Sequence, residues 1–277
     1  MISAHAANTN SRIKSPLACL AVNSLKQVTQ RKFSTAASQY VAHAHVQKQA
    51  AIDLIKLIKL DVSTKHKHCV DLGAGPLVNT EELQGIYKQV IAMDLSLTML
   101  KNSAVNAPRI CADMDNLPFQ QNSIDVVFSN FAMQWSANFE MLMHSLHSAL
   151  KPGGQAYIST VVEGSLGEIK TAFDALDSHS HINNFLSSDN INQSVKKAGF
   201  IVNNATEVIY TDEFTSPLKA ISSIKAIGAT SQNKATQRPG LLTKSALQKV
   251  CAAYPLINNQ AHVSYHVVLL SLEKAKI

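Results

Sequence analysis

The chain has 277 residues, of which 46% are hydrophobic, and a formal net charge of +6 at pH 7. This apolar content is ample for a packed core, and no apolar run reaches about 18 residues, so we expect no membrane span. The four cysteines lack the spacing of a metal knuckle, so we expect no metal site. Cys69 and Cys111 fall in predicted buried strands, which favours inert thiols in a cytoplasmic protein.

The amino-terminal segment is basic. Residues 1–52 contain no aspartate or glutamate but include Arg31 and Lys32. We interpret residues 1–25 as a disordered tail, and Arg31 and Lys32 as a docking face for an acidic partner. An organellar transit peptide is an alternative interpretation, because such peptides are basic and poor in acidic residues.

Residues 26–60 are predicted to be helical. Apolar residues recur every three to four positions between Phe33 and Ala44, as on one face of a helix. Tyr40 and His43 are three positions apart and therefore share a helix face. We expect this segment to form a lid that places the polar ends of both side chains over a ligand, with packing against the sheet as the alternative.

Residues 68–163 alternate between strand and helix patterns, which is typical of a parallel sheet. The first apolar run ends at Asp71 and is followed by a tight turn containing Gly73 and Gly75, where the backbone can approach a ligand closely. About twenty residues later a second run ends at Asp94, a spacing at which a carboxylate suits two ribose hydroxyls. Leu77 stands where such loops commonly have a third glycine.

Further segments follow in a fixed order: Asp113-Met114 ends a third apolar run, Ser129-Asn130 ends a fourth, and Pro152-Gly-Gly precedes a fifth. The series resembles class I S-adenosylmethionine (SAM) methyltransferases. The resemblance implies a Rossmann-like α/β fold, with a seven-stranded, mostly parallel sheet, helices on both faces and a helical cap. It also implies that SAM is the cofactor, with the first loop at its methionine part, the acid after strand two at ribose, the Asp-Met pair at adenine and the residue after strand four beside the methyl group. The implied cofactor-binding residues are Asp71, Gly73, Gly75, Asp94, Leu95, Asp113, Met114 and Asn130.

Residues 164–277 are predicted to form a substrate and cap region with the last strands. The helical patterns lie at about 165–178, 188–198, 216–227 and 243–253, and the strand patterns lie near 202–212 and 263–272. We expect the two strands to complete the sheet as an antiparallel edge pair and the helix at 216–227 to cap the cofactor cleft. Together with the lid and the core, this region makes residues 26–277 a single predicted domain.

Three segments outside the SAM series, at 33–47, 129–135 and 222–230, resemble the malonyl-[acyl-carrier protein] O-methyltransferases of biotin synthesis. This resemblance implies methylation of the free carboxylate of a malonyl thioester on acyl carrier protein, which masks the charge before elongation toward pimelate. We predict that Lys225 recognises the carboxylate, that Gln134 and Trp135 position it, and that Arg31 and Lys32 dock the carrier. The predicted substrate-binding residues are Tyr40, His43, Gln134, Trp135 and Lys225. No general base is expected, because a carboxylate is already ionised at neutral pH.

Other function classes compete with this one. A methyltransferase for a quinone or another small molecule would explain the SAM segments but not the basic helix or the segment around Lys225. A nucleic-acid methyltransferase, suggested by the pI of about 9.1, would carry an Asn/Asp-Pro-Pro-aromatic tetrad after strand four, and this chain does not. A catalytically inactive SAM-fold assembly factor is suggested by Leu77 but opposed by the intact acids and glycines. We expect a monomer without nucleic-acid or membrane partners.

Overall fold

The computed structural model describes residues 24–179, 181–227 and 242–276. The predicted tail at 1–25 lies outside the described residues except for its last two, which belong to the first helix. The predicted helical segment 26–60 is two helices, α1 (Ser24–His43) and α2 (His45–Lys56). They meet at Ala44, whose backbone leaves the helical region with φ −90° and ψ 49°.

A single eight-stranded sheet forms the centre of the molecule, in the order β3-β2-β1-β4-β5-β8-β6, with β7 paired to β8. The first five strands are parallel, and β8 is antiparallel to β5, β6 and β7. The sheet therefore confirms the predicted fold class and the antiparallel pair near the edge. The strands are β1 (His68–Leu72), β2 (Gln89–Asp94), β3 (Arg109–Cys111), β4 (Ile124–Asn130), β5 (Leu150–Val161), β6 (Ile201–Phe214), β7 (Leu256–Ile257) and β8 (Gln260–Glu273).

Helices connect the strands and cover both faces of the sheet. They are α3 (Thr80–Ile86), α4 (Leu97–Lys101), α5 (Phe139–Ala149), α6 (Gly167–Asp174), α7 (Ser188–Lys197), α8 (Pro217–Ala226) and α9 (Lys244–Ala252). Short 3₁₀ turns occupy Thr64–His66, Met114–Asn116 and Met133–Trp135. None of the helices in the described ranges is long and apolar enough to cross a membrane.

Two clusters of buried side chains lie on opposite faces of the sheet. Cys69 and Phe128 belong to one cluster, whereas Val70 and Val127 belong to the other. Adjacent residues of a strand point to opposite faces, so these strands are buried on both sides and read as continuous apolar runs. This is why the strand positions could be predicted from the sequence.

One predicted helix is shorter than expected. The pattern favours a helix over 97–106, but α4 ends at Lys101. The Asn102 backbone leaves the helical region, and its side-chain amide donates to the Ala37 carbonyl of α1 at 2.6 Å. Ser96 caps the start of α4, because its hydroxyl accepts from the Met99 N–H at 3.1 Å.

The direction in which the sheet is built changes at β1, because β2 and β3 lie on one side of it and β4 and β5 lie on the other. Open α/β sheets bind ligands at such a switch point, outside the carboxyl ends of the strands. Asp71, Asp94 and Asn130 all lie at or next to those ends. The fold thus brings together the segments that the sequence separates by dozens of residues.

Candidate active site

The loop after β1 requires its glycines. Gly73 has φ +74°, and a Cβ there would lie 2.2 Å from the Cβ of Ala132. Its N–H donates to the Met93 carbonyl of β2 at 2.7 Å, which fixes the turn against the neighbouring strand. Gly75 has φ +54° and donates its N–H to Asp94 Oδ2 at 2.9 Å. The loop and the acid of β2 are therefore one hydrogen-bonded unit.

Leu77 has the left-handed backbone that explains why glycine is common there. Its φ is +61°, a conformation that costs an ordinary L-residue about 1–2 kcal/mol. The side chain is 1% exposed and packs with Ala74, Ala92 and Leu100. This burial offsets the backbone strain, so the loop keeps its shape without a third glycine.

Asp71 is a buried acid behind the loop. Its side chain is 1% exposed, and Oδ2 accepts from the Thr80 hydroxyl at 2.6 Å. The second oxygen, Oδ1, is buried and has no hydrogen-bond partner among the described residues. The pKa of Asp71 is raised to about 7, because burial and, to a smaller extent, the nearby Asp94 raise it more than the Thr80 hydrogen bond lowers it. An orphaned carboxylate oxygen close to the glycine loop suits a cationic ligand.

Asp94 lies at the end of β2 and lines the cavity beside the loop. Oδ1 accepts from the Ser96 N–H at 2.7 Å, while Oδ2 accepts from the Gly75 N–H. Burial raises the pKa of Asp94, whereas the backbone hydrogen bonds lower it. Each oxygen has a further lone pair, and these can accept from two vicinal hydroxyls.

The cavity gathers most of the residues predicted to bind the cofactor. Those that line it are Gly73, Gly75, Asp94, Leu95, Asp113 and Met114. Asp71 and Asn130 do not line it but support its walls. The Asn130 amide donates to the Gln47 carbonyl at 2.9 Å, and its oxygen accepts from the Ser159 hydroxyl at 2.6 Å. Asn130 thereby ties β4 to α2 and β5.

Helix α1 covers this cavity through contacts that the sequence analysis missed. Lys26 forms ion pairs with Asp113 and with Asp115, the latter at 2.6 Å. The Gln30 amide donates to the Leu95 carbonyl at 2.9 Å, and the Ser34 and Ser96 hydroxyls are 2.8 Å apart. These contacts join residues far apart in the chain, and the one sequence signal for them is that residues 1–52 contain no acidic residue that could pair with Lys26.

The lid leaves little space beneath it. The cavity has a volume of about 70 Å³, whereas small-molecule sites usually have roughly 300–1,000 Å³. Lys26 also forms an ion pair with the carboxylate of Asp113, which lines the cavity. We therefore expect helix α1 to move outward before a nucleoside-sized ligand enters.

A second cavity adjoins the first beyond the end of β4. It contains Tyr40, Gln134 and Trp135 of the predicted substrate residues, and no residue lining it within the described ranges is charged. The Gln134 amide donates to the Phe131 carbonyl at 2.8 Å, and its oxygen accepts from the Thr160 hydroxyl at 3.4 Å. Burial raises the pKa of Tyr40, and Asp94 adds to the shift, so this phenol stays neutral.

The structure separates Lys225 and His43 from that cavity. Both are exposed and line an outer groove between α1 and α8, with a volume of about 830 Å³. Arg31, Lys32 and Lys219 line the same groove. We call this surface the basic groove. The predicted substrate residues thus fall into two groups, Tyr40, Gln134 and Trp135 inside and His43 and Lys225 outside.

Comparisons with known proteins agree with this geometry. A family model described as a methyltransferase domain matches residues 70–158, from β1 into β5. The chain is 31% identical over 243 residues to the malonyl-[acyl-carrier protein] O-methyltransferase of Pseudescherichia vulneris, covering 87% of this chain and 94% of that protein. The chain belongs to the malonyl-[acyl-carrier protein] O-methyltransferase family.

Two further relatives carry related names. The malonyl-[acyl-carrier protein] O-methyltransferase of Salmonella typhimurium is 29% identical over 252 residues, which cover 90% of this chain and 98% of that protein. The biotin biosynthesis bifunctional protein of Cellvibrio japonicus is 33% identical over 83% of this chain, but the match covers only 46% of that longer protein. The family members match the lid and cap regions as well as the core.

Solved structures show the same fold at lower identity. The YcgJ protein of Bacillus subtilis superposes with a TM-score of 0.58 and 13% identity, covering 83% of this chain and all of that chain. A phosphoethanolamine N-methyltransferase of Haemonchus contortus, solved with S-adenosylhomocysteine, has a TM-score of 0.53 and 19% identity, covering 92% of this chain and 61% of that one. The protein is a SAM-dependent methyltransferase, and most of the residues predicted to bind the cofactor line the cavity under α1.

Proposed function

We propose that the protein transfers the methyl group of SAM to the free carboxylate of a malonyl thioester carried by acyl carrier protein. The product is the malonyl methyl ester that starts pimelate and biotin synthesis. The relatives carry this activity in their names, and the arrangement of charges around the second cavity supports it for this chain. We also propose that the reaction takes place in the cytoplasm and that the protein is a monomer.

The observation that carries the proposal is the uncharged second cavity. Its lining includes Gln134, Phe185 and Ile227, and no described residue in it is acidic or basic. An anionic acceptor would find no lysine or arginine there, so its counter-charge is the sulfonium of SAM itself. A carboxylate and a sulfonium attract each other strongly in a cavity of low polarity.

The chemistry needs positioning rather than a base. A carboxylate oxygen attacks the methyl carbon in line with the carbon–sulfur bond, and the bonding pair stays on sulfur. One anion and one cation become a neutral ester and a neutral thioether, so the transition state disperses charge, which a cavity without fixed charges favours. Tyr40 is neutral and Gln134 is a neutral amide, and we assign both to orienting the acceptor.

We assign the basic groove to carrier docking. Arg31, Lys32, Lys219 and Lys225 line one side of the molecule between α1 and α8, and such a cluster attracts an acidic partner. This assignment gives Lys225 a contact with the carrier rather than with the malonyl carboxylate. The groove lies against the outer face of α1, whose inner face carries Phe33 and Tyr40.

The test is transfer of the tritiated methyl group of SAM to carrier protein. Malonyl-carrier protein should gain one base-labile methyl ester, whereas acetyl-carrier protein, which has no free carboxylate, should gain none. Label on a quinone or another small molecule, with none on malonyl-carrier protein, would identify the alternative small-molecule activity. Cofactor binding without transfer to any acceptor would indicate an inactive assembly factor.

A further inference from the structure

The cofactor cavity and the second cavity share four lining residues, and all four are aromatic. They are Phe33 and Tyr40 from α1, and Phe131 and Trp135 from the segment after β4. The rings of Phe33 and Trp135 are 5.3 Å apart and nearly perpendicular, at 88°. The junction between the two cavities is therefore lined entirely by these four aromatic side chains.

The backbone holds one of these rings in an uncommon conformation. Phe131 has φ +51°, and its N–H donates to the Ser159 carbonyl at 3.0 Å and to the Ser159 hydroxyl at 3.1 Å. The Ser159 hydroxyl in turn donates to Asn130. A non-glycine residue in the left-handed region costs free energy, and such strain persists where the surroundings impose it, often at a functional site.

The junction is where the charge of the cofactor must lie. If Asp94 binds the ribose in the first cavity, the methyl group must reach an acceptor in the second. The sulfonium therefore passes between the four rings, and no described residue that lines the second cavity carries a negative charge to balance it. Aromatic faces attract cations within about 6 Å of the ring centre.

We propose that Phe33, Tyr40, Phe131 and Trp135 form an aromatic cage that binds the positive sulfonium and so distinguishes SAM from its neutral product, S-adenosylhomocysteine. The cage has two fixed rings and two rings carried by the lid, so it closes only when α1 covers the cofactor. Methyl transfer removes the charge, the attraction ends, and the product is released more readily. This inference concerns the cofactor and holds whichever acceptor is methylated.

The test measures binding of SAM and of S-adenosylhomocysteine by calorimetry, without any acceptor. Trp135→Leu and Phe33→Leu should each lower the preference for SAM over S-adenosylhomocysteine about five- to tenfold, mainly by weakening SAM. Trp135→Phe keeps an aromatic face and should retain most of the preference. Phe185→Leu is the matched control, because Phe185 lines the second cavity but not the cofactor cavity, and the preference of this variant should equal that of the native protein.

A second measurement keeps the test decisive if a variant is destabilised. Trp135 is the only tryptophan of the chain, so its fluorescence in Phe33→Leu reports directly on the junction. SAM should change this fluorescence less in Phe33→Leu than in the native protein, while the response to S-adenosylhomocysteine stays the same. Equal losses for both ligands would mean that the rings only pack the lid, and would overturn the proposal.

Discussion

Asp94 offers hydrogen-bond acceptors that are already oriented. The N–H groups of Gly75 and Ser96 hold its two oxygens at 2.9 and 2.7 Å, so the carboxylate loses little freedom when it accepts from ribose hydroxyls. Charge-assisted hydrogen bonds contribute about 1.5–3 kcal/mol each. We therefore expect Asp94→Ala to weaken SAM binding at least tenfold, as measured by calorimetry. Unchanged affinity would remove Asp94 from the cofactor site.

We expect Asp71 to make SAM binding depend on pH. Its pKa is raised to about 7 by burial, and the ionised form is the one that attracts a cationic ligand. SAM affinity should therefore fall as the pH decreases from 8 to 6, and Asp71→Asn should show weaker but nearly pH-independent binding. Calorimetry at several pH values checks this, and a native affinity that is constant over this range would contradict it.

The raised pKa of Asp71 also determines whether its contribution to the stability of the fold grows or falls with pH. A carboxyl group whose pKa is near 7 when folded and near 4 when unfolded binds more protons in the folded state between those values, so its contribution weakens as pH rises through them. Without cofactor, Asp71→Asn should gain thermal stability relative to the native protein between pH 5 and pH 8. A constant difference in Tm would show that the folded carboxyl titrates normally.

At the scale of elements, we infer that α1 acts as a latch as well as a lid. The cavity beneath it is too small for SAM, and Lys26 holds the acids at 113 and 115. Opening must precede binding, so Lys26→Met should raise the association rate constant of SAM several-fold. Stopped-flow fluorescence of Trp135 measures this rate. Lys56→Met, which removes a Lys–Asp pair in α2, is the matched control and should not change it; a slower association in Lys26→Met would contradict the latch.

What the sequence could predict depended on how local each feature is. The acids that end β1 and β2 stand out in the sequence because charged residues that end buried apolar strands are costly without a partner, so Asp71 and Asp94 could be predicted as candidate site residues. The lid was predicted from its periodicity, but its partners were not, since Lys26 and Asp113 are 87 positions apart. The sequence predicts that Lys225 recognises the carboxylate, and its neighbours Ile224 and Ile227 are buried, but Lys225 itself is exposed. Successive residues of a helix point in different directions around its axis, so a residue can be exposed while its neighbours are buried. The sequence alone does not say which cavity each face of the helix lines.

At the scale of the whole molecule, the basic groove should control encounter with the carrier. Reversing Arg31 and Lys32 to glutamate should raise the KM for malonyl-carrier protein and leave a short malonyl thioester without the carrier almost unaffected. The effect should shrink at high salt, which screens exposed charges. Lys225→Met should follow the same pattern if Lys225 contacts the carrier. An equal loss on both substrates would instead indicate that Lys225 reaches the malonyl carboxylate.

The charge balance of the whole site predicts how the reaction depends on pH. The acceptor carboxylate is ionised well below neutrality, and the second cavity has no charged lining residue within the described ranges. Once SAM is saturating, the titration of Asp71 no longer limits occupancy of the cofactor site. The kcat with malonyl-carrier protein should then be flat from about pH 6 to pH 8, while the KM for SAM rises toward the acidic end. A kcat that rises through neutral pH in a stable protein would require a general base, and a base is needed to activate a hydroxyl or an amine but not a carboxylate. That outcome would therefore count against carboxylate methylation while leaving the assignment of the cofactor intact.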